Sequence, residues 1–285
     1  MTWFILALSA SLCWAVGQVL VKKGFENIPP LWNNIFTNFL ILILHIVPVL
    51  FLSNFSIKIP PVHIFIIIVA SASGYHTFFY AISKGEVSLT GTVCAGYPIF
   101  TIILSQVFLN ERLSLFQSIG VGLVITGVVF IALPERAASK EIKNHGWILW
   151  GLICAMLIGS GDFLAKFSIN HIGAYSHIFF LALISNPIGA INYLIDRKGR
   201  RFPDLTGKKA LPTFLGLIVV AMGTFLFLIS FEHGKVSLIA PVSSIYPAIT
   251  AVLAVRFLGE KITLKQGFGI AIIVIGLILV GIVSI

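Results

Sequence analysis

The sequence predicts an all-α integral membrane protein, with ten transmembrane helices arranged as two five-helix repeats of inverted topology. Three observations carry that expectation. The chain is 58% hydrophobic and only 10% charged, against about 25% charged for an ordinary soluble domain, and its mean hydropathy is +1.04. Nearly all of it divides into apolar runs of about 20 residues, the length that crosses a hydrocarbon core of roughly 30 Å. A long stretch also occurs twice: GEVSLTGTVCAGYPIFTIILSQVFLNERLSLFQSIGVGLVITG at 85–127 and GKVSLIAPVSSIYPAITAVLAVRFLGEKITLKQGFGIAIIVIG at 234–276. At a constant offset of 149, 16 of the 43 positions are identical, among them Tyr97/Tyr246, Pro98/Pro247, Glu111/Glu260 and Gly120/Gly269. Self-similarity of this kind marks an internal duplication.

The expected spans are 2–22, 33–53, 61–83, 87–109, 113–133, 146–168, 174–195, 210–232, 236–258 and 262–284, each bounded by loop chemistry. The first lacks a basic leader and a cleavage site, so it reads as a retained helix. Asn27-Ile28-Pro29-Pro30 separates the first two spans, Pro60-Pro61 opens the third, Lys84-Gly85-Glu86 the fourth and Asn110-Glu111-Arg112 the fifth. A polar linker at 134–145 precedes the sixth. Asn170-His171-Ile172-Gly173, the basic stretch 196–209, His233-Gly234-Lys235 and Gly259-Glu260-Lys261 introduce the remaining four. The front ends of the halves also match, at an offset of 144: Trp3 on Trp147, Gly17 on Gly161, Lys22 on Lys166. The expected organisation is therefore a first repeat at 1–135, a linker at 136–145 and a second repeat at 146–285. Five spans per repeat invert the second half relative to the first, and in such carriers the binding site lies near the membrane midplane between repeats.

This pattern resembles the drug/metabolite transporter superfamily, specifically the ten-span EamA-type permeases. The resemblance rests on Tyr-Pro-Ile-Phe-Thr at 97–101, Leu-Asn-Glu-Arg-Leu-Ser at 109–114 and Gln-Ser-Ile-Gly at 117–120, with their counterparts at 246–250, 258–263 and 266–269, and on Lys22 and Lys166. It implies a carrier that alternates between inward- and outward-open states around a central cavity. One departure from the four-helix multidrug members matters. They carry a membrane glutamate eight residues before the first-helix lysine, where this chain has Trp14 and Ile158. Their proton-for-cation exchange therefore does not carry over.

Candidate site residues come from what is costly in a bilayer. Pro98 and Pro247 fall about halfway along the fourth and ninth spans, and each removes the helical partner of a carbonyl four residues earlier, at Cys94 and Ser243. Backbone freed at that depth is tolerated only where protein or a wet cavity satisfies it. These helix breaks, flanked by Tyr97 and Tyr246, with Ser243, Ser244 and Thr250 adding hydroxyls, form the leading midplane candidate. Asp162 is the one acid well inside a span, and intramembrane carboxylates usually mark a substrate or proton pathway. Lys166 follows at i+4, the favourable order for a helical ion pair. Gln18 holds the position equivalent to Asp162 in the first repeat. His76, beside Tyr75 and one turn before Tyr80, could couple to protons, and Trp14 could stack on an apolar or cationic substrate. Substrate binding is thus expected at Trp14, Gln18, Tyr75, His76, Tyr80, Tyr97, Asp162, Ser243, Ser244 and Tyr246, and charge coupling at Asp162, Lys166 and His76. Glu111 and Glu260 read as structural charges at helix ends.

Composition narrows the function class. No polar stretch is long enough to bury a core of its own, and no basic face with interleaved aromatics suits nucleic acid. The pI near 9.6 reflects basic loops that set topology. Cys13, Cys94 and Cys154 lie inside apolar runs and read as small core residues, with neither a disulfide nor a metal site expected. No nucleotide-binding motif appears, and neither a cofactor nor an enzymatic activity is expected. The leading expectation is a secondary transporter, an exporter or exchanger, of a small organic metabolite such as an amino acid. It would sit in the cell membrane as a multi-pass protein, function as a monomer, and have protons as a candidate coupling ion. The alternative is a lipid or lipid-linked-sugar flippase of the same fold. Lysine and arginine concentrate in the odd-numbered loops, which places both termini outside by the positive-inside rule; the family resemblance implies both inside.

Overall fold

Large apolar side chains cover the outside of the molecule, the reverse of a water-soluble fold. Ile5, Phe51, Ile66, Phe116, Leu194 and Phe268 are each more than half exposed, and a girdle of that extent faces lipid. The computed structural model describes residues 2–22, 28–54, 56–82, 93–132, 146–197, 199–203, 205, 210–258 and 264–282. Among them there is no strand. Inside hydrocarbon every backbone donor and acceptor needs a partner within the protein, and a helix supplies one locally.

The helices are α1 (Thr2–Lys22), α2 (Pro30–Leu52), α3 (Val62–Tyr75), α4 (Thr77–Ile82), α5 (Pro98–Phe108), α6 (Leu115–Ala132), α7 (Gly146–Ile172), α8 (Ala174–Ile195), α9 (Ala210–His233), α10 (Val236–Ser243), α11 (Tyr246–Leu258) and α12 (Leu264–Ile282). Five of these, α1, α2, α7, α8 and α9, are long and apolar enough to cross a membrane unaided. The others are apolar but shorter, and two expected spans are each split into a pair of helices. α7 is the centre of the molecule, with half of its apolar window buried, whereas 22% of the α2 window is.

Three differences from the expected spans have local causes. The third span breaks at His76, because Thr77 Oγ1 donates to Gly74 O (2.7 Å) and His76 O accepts from Asn34 Nδ2 (3.1 Å), drawing the backbone out of helical register. The ninth breaks at Ser244-Ile245, where Pro247 has no N–H to continue the ladder. Asn170–Ile172, expected as loop, continues α7 to Gly173. That glycine has φ +83°, a left-handed conformation that suits a residue without Cβ, and α8 begins at the next residue.

Helices pack through backbone contact at glycine. A Cβ at Gly120 of α6 would stand 2.8 Å from Gly276 O of α12, and one at Gly276 would stand 2.7 Å from Gly120 O. α1 and α9 meet in the same way at Gly17 and Gly216. Apolar lipid gives helices no hydrophobic reason to associate, so close van der Waals approach at small residues drives packing. Polar side chains then bridge the helices. Asn38 of α2 donates to Ser185 O of α8 (2.9 Å), and His45 Nε2 contacts Ala221 O of α9 (2.9 Å).

At one end of the molecule the duplicated motifs meet. Asn110, in the left-handed region at φ 53°, turns the chain after α5 and aims Glu111 at the start of α10. Glu111 Oε1 accepts from Val236 N (3.1 Å), and Oε2 accepts from Ser237 N (2.9 Å) and the Ser237 hydroxyl (2.5 Å). Lys235, at the N-cap of α10, makes no side-chain cap bond, so a carboxylate from the other half caps those donors, where the helix dipole favours negative charge. Lys235 Nζ in turn donates to Arg112 O. Glu111, expected to be a charge at the end of its own helix, thus caps α10.

Two stability outcomes follow. Gly276→Val should lower the thermal midpoint in detergent by the equivalent of about 1–3 kcal/mol of overpacking, whereas Gly122→Ala, with open space around it, should leave the midpoint unchanged. Glu111→Ala should cost about 1.5–3 kcal/mol, the range for hydrogen bonds to a charged group. A wild-type denaturation curve for Glu111→Ala would show that the cap contributes nothing.

Candidate functional site

Asp162 lies on α7, fully buried. Its surroundings are built from small residues at 159–161, Gly-Ser-Gly, which let neighbouring backbones approach. A Cβ at Gly159 would meet Tyr97 O at 2.4 Å, and one at Gly161 would meet Ser71 O at 3.1 Å. Hydroxyls lock both approaches: Ser71 Oγ donates to Gly161 O (2.9 Å) and Thr101 Oγ1 to Gly159 O (3.1 Å). α3, the turn at 93–97 and α5 are thereby held against α7 on either side of the acid. Tyr75, the last residue of α3, donates its hydroxyl to Asp162 Oδ1 at 2.7 Å. Asp162 Oδ2 is buried and has no hydrogen-bond partner among the described residues.

Polar groups continue from there into the two helix breaks. Tyr97 lies within electrostatic reach of Asp162 and of Tyr246. Its hydroxyl shares a hydrogen bond with Ser243 Oγ (2.9 Å) and donates to Ala240 O (3.2 Å). Gln18 of α1 lies near the Tyr246 hydroxyl. Trp14 packs edge-on against Tyr246, with ring centroids 6.1 Å apart, and against Phe227 at 5.0 Å, while its Nε1 donates to Thr224 Oγ1 at 3.4 Å. Asp162, Tyr75, Tyr97, Ser243, Tyr246, Gln18 and Trp14 thus gather where α1, α3, α7, α10 and α11 meet, with the pairs Tyr75–Asp162, Tyr97–Ser243 and Trp14–Tyr246 in direct contact.

The prolines follow the breaks and do not sit in mid-helix. Pro98 is the first residue of α5, and Pro247 the second of α11. The Cys94 carbonyl, expected to be left free by Pro98, accepts the Tyr97 N–H at 3.1 Å across a tight turn.

Other expected residues lie elsewhere. Lys166 does not pair with Asp162: its ammonium donates to Phe231 O (2.5 Å) and Gly234 O (3.0 Å) at the C-terminal end of α9. A four-carbon stem carries that charge well away from its i−4 neighbour, and a helix C-terminus attracts a cation. His76 is buried at the α3–α4 junction, its carbonyl held by Asn34. Tyr80 faces Asp196 at the end of α8. Ser244 donates to Pro241 O (2.8 Å) and Thr250 to Tyr246 O (2.8 Å), both within their own helical segment. Sequence reasoning passed over Ser71, Thr101 and Thr224, which hold the site together. The signal for the first two was the Gly-Ser-Gly run before Asp162, since glycines at membrane depth mark close backbone approach.

Residues 1–133, and again 145–282, match the EamA-like transporter family. The chain belongs to that family. It is a transporter of the drug/metabolite superfamily and a multi-pass membrane protein. Over 287 residues this EamA-like transporter is 24% identical to a probable amino-acid metabolite efflux pump of Escherichia coli strain K12, covering 96% of this chain and 92% of that one. It is 35% identical over 136 residues to a protein of Methanocaldococcus jannaschii, a match that takes in 96% of that protein but 47% of this chain. One solved crystal structure superposes with a TM-score of 0.81 at 17% identity, over 99% of this chain and 96% of that one; at that identity the likeness concerns the fold alone.

The Tyr75–Asp162 bond supplies a direct check. Tyr75→Phe leaves a second buried carboxylate oxygen unpartnered, so a double-mutant cycle with Asp162→Asn should return a coupling of about 0.5–3 kcal/mol in thermal or denaturant unfolding. Additive effects would mean the two side chains do not interact in the folded protein.

Proposed function

We propose that this EamA-like transporter carries a small organic metabolite, an amino acid above all, by alternating access around Asp162, Tyr75, Tyr97, Ser243 and Tyr246, in the direction of export or exchange. The observation that carries the reading is the unpartnered Oδ2 of a fully buried aspartate. Burying a carboxylate in a bilayer is costly and calls for a compensating cation. Lys166 is engaged elsewhere. A substrate ammonium or a proton is then the natural counter-charge, and the tyrosine and serine hydroxyls beside it suit a carboxylate or other polar group of the same molecule. The substrate class is supported by the Escherichia coli relative's description. With Asp162, Ser243 and Ser244 sealed from solvent, substrate entry requires α1, α3, α7 and α10–α11 to separate on one side or the other.

We also infer that the chain consists of two inverted five-helix repeats, 1–135 and 146–285, joined by the linker. Helix contacts recur under the same two offsets found in the sequence. Gly17 meets Val220 as Gly161 meets Ser71, and Gly223 meets Cys13 and Trp14 as Gly74 meets Leu157 and Ile158. The family match falls in two blocks, and the Methanocaldococcus jannaschii protein is of half-chain size. A pair of repeats in one chain makes a monomer sufficient.

A thermal-shift series on purified protein against amino acids, polyamines, sugars and lipid precursors tests this reading. A true substrate at a hundredfold excess over its Kd stabilises by about 2.7 kcal/mol. Asp162→Asn should abolish both that shift and flux in proteoliposomes while leaving the protein folded. Wild-type flux in Asp162→Asn, or stabilisation by lipid-linked compounds alone, would overturn it.

A further inference from the structure

The three cysteines are free thiols, and two of them, far apart in sequence, come together. Cys94 belongs to the turn that precedes Tyr97 and Pro98; Cys154 lies on α7, eight residues before Asp162. Cys94 is 1% exposed and Cys154 0%. They share one small buried cluster with Ala81, against which Phe78 and Ile158 pack, and the two thiols lie close enough to act on each other. Under the offset of 149, Cys94 stands where the second half has Ser243, the residue that bonds Tyr97. Both sulfurs lie within electrostatic reach of Tyr246. The pair also lies next to residues of the central polar group in sequence, Cys94 three before Tyr97 and Cys154 eight before Asp162.

We propose that Cys94 and Cys154 are a dithiol modification site, which two-electron oxidation closes into a disulfide that staples the 93–97 turn to α7 and locks the transporter. The turn carries Tyr97 and α7 carries Asp162, both in the group around which the proposed cycle works, so a covalent link there arrests the cycle. The locking part rests on the proposed transport reading; formation of the bond does not. With a diazenedicarboxamide as oxidant, one thiolate adds to the N=N bond and forms an S–N bond. The second thiolate attacks that sulfur, the S–S bond forms, the S–N bond breaks, and the hydrazine leaves carrying the two hydrogens lost by the thiols.

The test counts thiols. Purified protein is treated with diamide, then unfolded and labelled with a mass-tagged maleimide. The untreated chain should take three tags, one per cysteine, and the oxidised chain one, on Cys13, with the loss reversed by dithiothreitol. Cys94→Ser should take two tags before and after oxidation, which separates the Cys94–Cys154 bond from any involving Cys13. The oxidised wild type should unfold at a higher temperature than the reduced form. Proteoliposome flux of an amino acid should fall at least tenfold on oxidation and recover on reduction. Three tags after oxidation would overturn the proposal, and so would one tag with unchanged flux. Tag number and unfolding temperature are read without substrate, so a protein that transports no amino acid leaves this test decidable.

Discussion

Every backbone group at membrane depth in this protein must find its partner inside the protein, and the architecture turns on where helices fail to supply one. At the breaks, the missing partners come from elsewhere in the fold. The α10 donors that lack a local cap receive Glu111. The last carbonyls of α9 receive Lys166. Ala240 O, near the α10–α11 break, accepts from the Ser244 N–H and the Tyr97 hydroxyl, and Ser243 shares a hydrogen bond with that tyrosine. Interrupted helices are costly in lipid unless such contacts exist, and those of Glu111 and Tyr97 also join residues before 135 to residues after 146.

The polar centre has the same logic. Glycines at 74, 159 and 161 bring backbones so close that side chains have little room, and the few hydroxyls present are spent on carbonyls. Asp162 receives one donor, from Tyr75, and keeps one oxygen open. A carboxylate placed there for structure alone would be expected to have all its bonds made within the protein, since partly satisfied buried groups are the destabilising case.

Much of this was legible in the sequence. Apolar runs and their Pro, Gly and Asn punctuation placed the helices, and the repeated Tyr-Pro placed the breaks in the fourth and ninth spans. The connection among Asp162, Tyr97, Ser243 and Tyr246 followed from asking what is expensive in a bilayer. Partner choice was less legible. Lys166 is four residues from Asp162 on a helix, which predicts a pair, yet its long side chain reaches carbonyls that only the tertiary fold puts in range. Glu111 could be read as a terminal charge, but nothing local says which helix it caps. Tyr80 and His76 share a sequence neighbourhood with Tyr75, but the helix is interrupted at His76 and neither makes a hydrogen bond to Asp162 as Tyr75 does. The contact between Cys94 and Cys154 joins positions 60 residues apart and carries no spacing signature at all.

Asp162 has Gln18 as its counterpart in the first half, and that inequality has an energetic meaning. In a carrier built from two identical inverted halves, the two end states would be related by a two-fold rotation and equally populated. A single acid on one side breaks the degeneracy. On the proposed transport reading, neutralising that residue shifts the balance between the end states. A ligand shifts such an equilibrium only by its differential affinity for the two states, so under the proposed cycle a carboxylate present in one half alone would make the balance sensitive to charge.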